Sequence, residues 1–64
     1  MIGRKIKELR IARNLSQAQL AKKTNVLSQS QIAKIEIGYR KVSFEEASIL
    51  ASALEISISD FTDI

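Results

Sequence analysis

Residues 16–38 read SQAQLAKKTNVLSQSQIAKIEIG, two short periodic segments separated by a turn too tight to part independent domains. In the first, Gln17 to Thr24, the spacing sets Ala18, Leu20 and Ala21 against a neighbouring element and leaves Gln17, Gln19, Lys22 and Lys23 to solvent. In the second, Gln29 to Ile37, Ile32 and Ile35 stand at i and i+3, with Gln29, Ser30, Ala33 and Lys34 facing outward. Asn25 lies between them, and asparagine tolerates a left-handed backbone better than other residues with a side chain, as a helix ending in a sharp turn requires. The spacing predicts helix, turn, helix.

Upstream, Ile2, Ile6 and Leu9 recur at i, i+4 and i+7, with Ala12 and Leu15 continuing the stripe. Residues 2–13 therefore read as an amphipathic first helix ending near Asn14, its other side carrying Lys and Arg and the off-stripe Ile11. Four serines mark the starts of the remaining helices. Ser16 with Gln19, Ser28 with Gln31 and Ser43 with Glu46 match the S-x-x-E/Q capping box, and Ser57 with Asp60 is a looser version. Each cap contributes ~1 kcal/mol. Gly38 supplies a left-handed residue after the second motif helix, and Tyr39, Arg40 and Lys41 make a polar loop leading to Ser43. The fourth helix turns Phe44, Ala47, Leu50, Ala51 and Leu54 inward, and a fifth of about one turn closes the core with Ile56, Ile58 and Phe61. The expected fold is all-α, a compact bundle of five short helices forming one domain over residues 1–64.

A chain of 64 residues buries roughly 60% of the surface its unfolded form exposes, so its stability margin is a few kcal/mol and a deep catalytic pocket is hard to fit. Cysteine, histidine and tryptophan are absent, which removes disulfides, thiolate and imidazole metal sites and the usual nucleophile–base pairs. The expectation is no enzyme, no metal and no cofactor. The 45% hydrophobic content, nearly free of aromatics and without proline, suits a bundle filled by Ile, Leu and Ala. No apolar run approaches the ~20 residues that cross a bilayer, and the N-terminus lacks a signal-peptide core, so a cytoplasmic protein without a membrane partner is expected. All ten basic residues lie within the first 41 positions beside only Glu8 and Glu36, a net +8, and the remainder carries −5. Such a division favours a polyanion on one face and keeps the other off it, against the plainer reading of two solvated helix surfaces.

The segments LSQAQLAKKT, QSQIAKIEIG and SFEEASILASALEISISDF, in that order, resemble the lambda-repressor and Cro-like DNA-binding domains, the xenobiotic-response-element family of bacterial and phage regulators. The resemblance spans nearly the whole chain and makes residues 17–37 a helix-turn-helix. One departure stands out: family members have one residue fewer between the valine-like turn position, Val26, and the serine opening the second helix, Ser28, so Leu27 reads as an insertion. The longer turn is similar to that of peptide-responsive quorum regulators.

The resemblance implies double-stranded DNA as partner and the second motif helix as the element entering the major groove. Its base-reading places match Gln29, Ser30 and Lys34. Gln29 is the strongest, since a glutamine amide pairs with adenine N6 and N7, whereas Lys34 suits guanine or a phosphate and Ser30 is short. Phosphate contacts fall to Ser16 and Gln17 at the positive end of the first motif helix, and to Ser28, Tyr39, Arg40 and Lys41. The family's polar residue before the glycine is replaced by Ile37. Arg10 and Glu36 match a largely buried structural ion pair, whose loss of one partner costs ~3 kcal/mol or more. Operator half-sites imply a homodimer, for which the acidic C-terminal part with Ile58, Phe61 and Ile64 is the expected surface. Domains of this kind often continue into an effector or dimerisation region that responds to a peptide or protein. The rival reading is a protein-binding module on the same fold, an antitoxin or antirepressor, and the off-stripe Ile11, Ile37 and Ile49 speak for it.

Overall fold

The computed structural model describes residues 2–62 of the chain, of which the Thr62 side chain is left out. Five helices follow in order: α1 (Ile2–Ala12), α2 (Gln17–Thr24), α3 (Gln29–Glu36), α4 (Phe44–Ala53) and α5 (Ser59–Thr62), with no strand among the described residues. Ile6, Leu20, Ile32, Ile35, Leu50 and Leu54 are fully buried, so α1 to α4 each send at least one aliphatic side chain, or their capping residue, into a shared core. α2 packs against both α3 and α4, and α1 lies across α3 and α5.

Helix starts follow the serines. At Ser16, Ser28 and Ser43 the hydroxyl accepts the amide three residues on while the Gln19, Gln31 or Glu46 side chain accepts the serine amide, closing three full capping boxes. Ser57 differs: its amide donates to Asp60 Oδ2, but its hydroxyl accepts from Ser59 N, because the shorter aspartate closes a tighter turn. Helix ends reuse one device. Asn14 (φ 58°), Gly38 (φ 79°) and Glu55 (φ 59°) sit left-handed after α1, α3 and α4. Around each, a pair of reversed hydrogen bonds closes the helix, as in Gly38 N to Ile35 O (3.1 Å) and Tyr39 N to Lys34 O (2.9 Å). Asn25 (φ 65°) is left-handed too, but after α2 its own amide is shared between the Ala21 and Lys22 carbonyls (3.2 Å each) and the next amide, Val26, turns to the Thr24 hydroxyl.

Several expected faces move. Ala12 and Ala18 are exposed: α1 stops burying residues before its last turn, and α2 packs through Leu20, Ala21 and Thr24 instead. Phe44 is 77% exposed, because the buried stripe of α4 begins one turn further in, at Ala47. Ile49, expected outside, is half-buried. Phe61 is buried as α5 lies on α1, so it serves the core and not an exposed dimer surface; Ile58 is half-buried against that core, and Ile64 lies outside the described residues.

Candidate nucleic-acid interface

α3 is held by its inner face. Ile32 and Ile35 fill the core, and Glu36, one turn beyond Ile32, is buried with its carboxylate met from two sides. Arg10 Nε donates to Glu36 Oε2 at 2.7 Å and Arg10 Nη2 to Oε1 at 3.1 Å, while Gln17 Nε2 donates to Oε1 at 3.0 Å. The remaining arm, Arg10 Nη1, donates to the Leu15 carbonyl at 2.7 Å. One carboxylate thus ties together α1, the start of α2 and the end of α3, and no buried side-chain polar atom among the described residues lacks a partner. The Gln17 amide, assigned to phosphate from sequence, is engaged here with Glu36.

Gly3 completes the α1–α3 contact and was not singled out in the sequence. A Cβ built there would lie 2.0 Å from the Ile35 carbonyl oxygen, so the two backbones touch where any side chain would wedge them apart. The available signal was a glycine inside a helical pattern, where it costs about 1 kcal/mol relative to alanine unless packing requires it.

With that face fixed, Gln29, Ser30 and Lys34 are exposed along the outer side of α3. Gln31 is occupied by the Ser28 box: Ser28 N donates to its side-chain oxygen at 2.8 Å, and its own amide donates to Ser28 Oγ at 3.1 Å. At the start of α2 the Ser16 box satisfies the Gln19 amide, while the Gln17 and Ala18 amides, first in the helix, have no intrahelical acceptor.

Past α3, Tyr39 and Lys41 are exposed, but Arg40 turns back. Its guanidinium grips Glu46 through Nη1–Oε1 (3.2 Å) and Nη2–Oε2 (2.5 Å), and Glu46 is the carboxylate that also accepts the Ser43 amide. These hydrogen bonds, Arg40's first and then Ser43's, hold the Glu46 carboxyl below its ordinary pKa, and the bond to Glu46 raises that of Arg40. Arg13 likewise reaches Glu55, at 3.2 Å. Two of the basic residues of the first 41 are therefore paired with acids of the remainder, so the charge division along the chain is only partly a division in space. Lys22, Lys23, Lys34 and Lys41 are exposed and stand outside these ion pairs.

In the turn between α2 and α3, Leu27 is 7% exposed and part of the core, whereas Val26 is 64% exposed. Of these two adjacent apolar residues, Val26 is displayed outward and Leu27 turns inward. Thr24 organises this: its buried hydroxyl donates to the Ala21 carbonyl (2.7 Å) and accepts the Leu27 amide (3.0 Å).

A helix-turn-helix family model matches residues 6–61, most of the chain. The chain belongs to the lambda-repressor-like helix-turn-helix family. Among solved structures, the helix-turn-helix chain is similar to the restriction-modification controller protein C.AhdI from Aeromonas hydrophila. The two share 37% identity with a TM-score of 0.89, over 94% of this chain and 86% of that one. A comparison with curated proteins gives no match. By family and fold this is a DNA-binding transcriptional regulator, a class that does not ordinarily catalyse reactions. Among the described residues no helix is long and apolar enough to cross a membrane.

Proposed function

We propose that this helix-turn-helix protein reads an operator half-site with α3 in the major groove and acts as a homodimer. The observation that carries the reading is the way α3 is held: Ile32, Ile35 and Glu36 are locked inside, Ser30 and Lys34 stand clear on the opposite side, and Gln29 is exposed at the leading end. In this motif the leading end of the second helix meets base edges, and the first helix bridges the backbone. Gln29 is the chief base reader, Lys34 contacts guanine or a phosphate, and Ser30 adds a short contact. The start of α2 (Ser16 and the backbone amide of Gln17, whose side chain is held by Glu36), Ser28, Tyr39 and Lys41 flank them as phosphate contacts, with Arg40 contributing only as far as Glu46 releases it.

A single module covers ~600–1,000 Å², too little for tight specific binding, and two-fold pairing would set two recognition helices ~34 Å apart on one side of the duplex. Of the residues named for pairing, Ile58 remains in play.

The test is a titration of wild type and Gln29→Ala against a duplex selected from a random pool and against random-sequence duplex. Gln29→Ala is expected to cost ~1–3 kcal/mol on the selected site and little on random DNA; equal losses remove Gln29 from base reading. A second reading, a protein-binding module of antitoxin or antirepressor type, is favoured by the exposure of Ile11, Ile37, Tyr39 and Phe44. Salt separates the two: duplex binding falls by about 0.9 log units per decade of salt for each phosphate contacted, and a protein-binding module shows no duplex binding to titrate.

A further inference from the structure

We infer that Val26 is a further specificity-determining residue, which reads a pyrimidine C5-methyl group in the major groove beside the bases met by Gln29; the inference rests on the major-groove reading of α3. Val26 lies two positions ahead of Ser28, the cap of α3, and is strongly exposed between two anchored neighbours. On one side Thr24 is buried and fixed by its bond to the Ala21 carbonyl; on the other Leu27 is packed in the core. The Thr24 hydroxyl also accepts two consecutive amides of the turn, Leu27 at 3.0 Å and Val26 at 3.5 Å. The turn therefore displays Val26 from a fixed backbone, and a β-branched side chain has little rotamer freedom left to lose on contact.

Its chemistry differs from that of the neighbouring candidates. Ser28 spends its hydroxyl on the Gln31 amide, and Gln29 and Ser30 offer hydrogen-bonding groups, so Val26 supplies an apolar surface at the leading end of α3. Turn positions are ordinarily filled by Gly, Asn, Asp or Ser, and an exposed valine adds nothing to the hydrogen bonds that hold this turn. In the major groove the apolar feature of a base edge is the methyl at C5, carried by thymine and equally by 5-methylcytosine.

The experiment is a cycle of protein and base changes on the duplex selected by the wild-type protein from a random pool. Thymines are replaced one at a time by deoxyuridine, and cytosines one at a time by 5-methylcytosine. Affinities are measured for wild type, Val26→Ala and Gln29→Ala. Because Val26 is exposed and its turn is held by Thr24 and Leu27, Val26→Ala is expected to fold. The expected result is one position where deoxyuridine weakens wild type by about three- to tenfold and leaves Val26→Ala unchanged. A cytosine whose methylation strengthens wild type but not Val26→Ala supports the same contact with 5-methylcytosine as the source. Equal responses of wild type and Val26→Ala at every position overturn the assignment; if Gln29→Ala still shows its base-specific loss, the major-groove reading survives that failure. A wild type that selects no duplex overturns both.

Discussion

Two arginine–glutamate pairs, each closed by two hydrogen bonds, differ in how far water reaches them. Arg10 and Glu36 have side chains 11% and 2% exposed, and the pair joins α1 to α3 with further bonds from Gln17 and to Leu15. Arg40 and Glu46 are 31% and 22% exposed and join the loop after α3 to the first turn of α4. The buried pair has no water to fall back on, so each partner's desolvation is offset only by the other and by the groups around them. The outer pair competes with water and salt at every moment. The first suits a fixed angle for α3 against α1; the second leaves a cation that a stronger anion can recruit.

The largest difference should appear on removing one carboxylate. Glu36→Ala strands a buried guanidinium and is expected to cost ~3–5 kcal/mol, enough to unfold much of a domain this small at 25 °C, as read by helical circular dichroism and thermal melting. The double change Arg10→Met with Glu36→Leu should recover most of that loss, since apolar replacements of a buried pair are often neutral; a double variant as unstable as Glu36→Ala would mean that shape, not stranded charge, governs the site. Next in size comes Gly3→Ala. The added Cβ meets backbone at 2.0 Å, so α1 must shift from α3, at ~1–3 kcal/mol by the usual cost of overpacking. A melting temperature within a degree of wild type would show that Arg10 and Glu36 alone set the spacing.

What the sequence revealed of this architecture divides along the same line, local against long-range. The serine caps were legible because a capping box is a local pattern, a serine with Gln or Glu three residues later at the head of an apolar-periodic run, and the three boxes expected at Ser16, Ser28 and Ser43 all form. Asn25 and Gly38 were legible as helix stops for the same reason, whereas Glu55, an unusual residue for a left-handed backbone, carried no such signal. Gly3 was not read because its role depends on Ile35, far along the chain. Phe44 was misplaced because periodicity reports a face but not where along a helix the neighbouring element ends. Which of Val26 and Leu27 turns inward was not legible, because both are apolar and only burial decides between two adjacent apolar residues. Of the candidate interface, the exposure of Ser30 and Lys34 followed from helical spacing and that of Gln29 from its place at the leading end of α3, but the commitments of Gln17 to Glu36 and Arg40 to Glu46 arise from elements brought together by folding.

Acid separates the outer pair from other features. Glu46 has a folded pKa below its unfolded value, so its contribution to stability is fully present above the unfolded carboxylate pKa of about 4.3 and is lost as pH falls through the folded value. Glu46→Gln removes the charge but keeps an acceptor for the Ser43 amide. It should lower stability at pH 7 by much less than Glu36→Ala and should flatten the loss of stability below about pH 4.3. A variant whose acid limb follows that of wild type would show that other carboxylates carry the acid response.

The smallest effect is the one that ties the outer pair to DNA. Lys41 is exposed and pairs with no carboxylate among the described residues, whereas Arg40 is already matched by Glu46, so the two neighbours should not count equally toward phosphate neutralisation. Lys41→Ala is expected to lower the slope of log affinity against log salt by about 0.9, the value for one phosphate contact. Arg40→Ala should lower it by less, because the charge lost to the duplex was partly neutralised beforehand. Glu46→Gln, by freeing Arg40, should steepen the slope. Equal decrements for Arg40→Ala and Lys41→Ala, with no change for Glu46→Gln, would mean that the duplex takes Arg40 entirely from its partner and that the difference between the two ion pairs has no bearing on DNA.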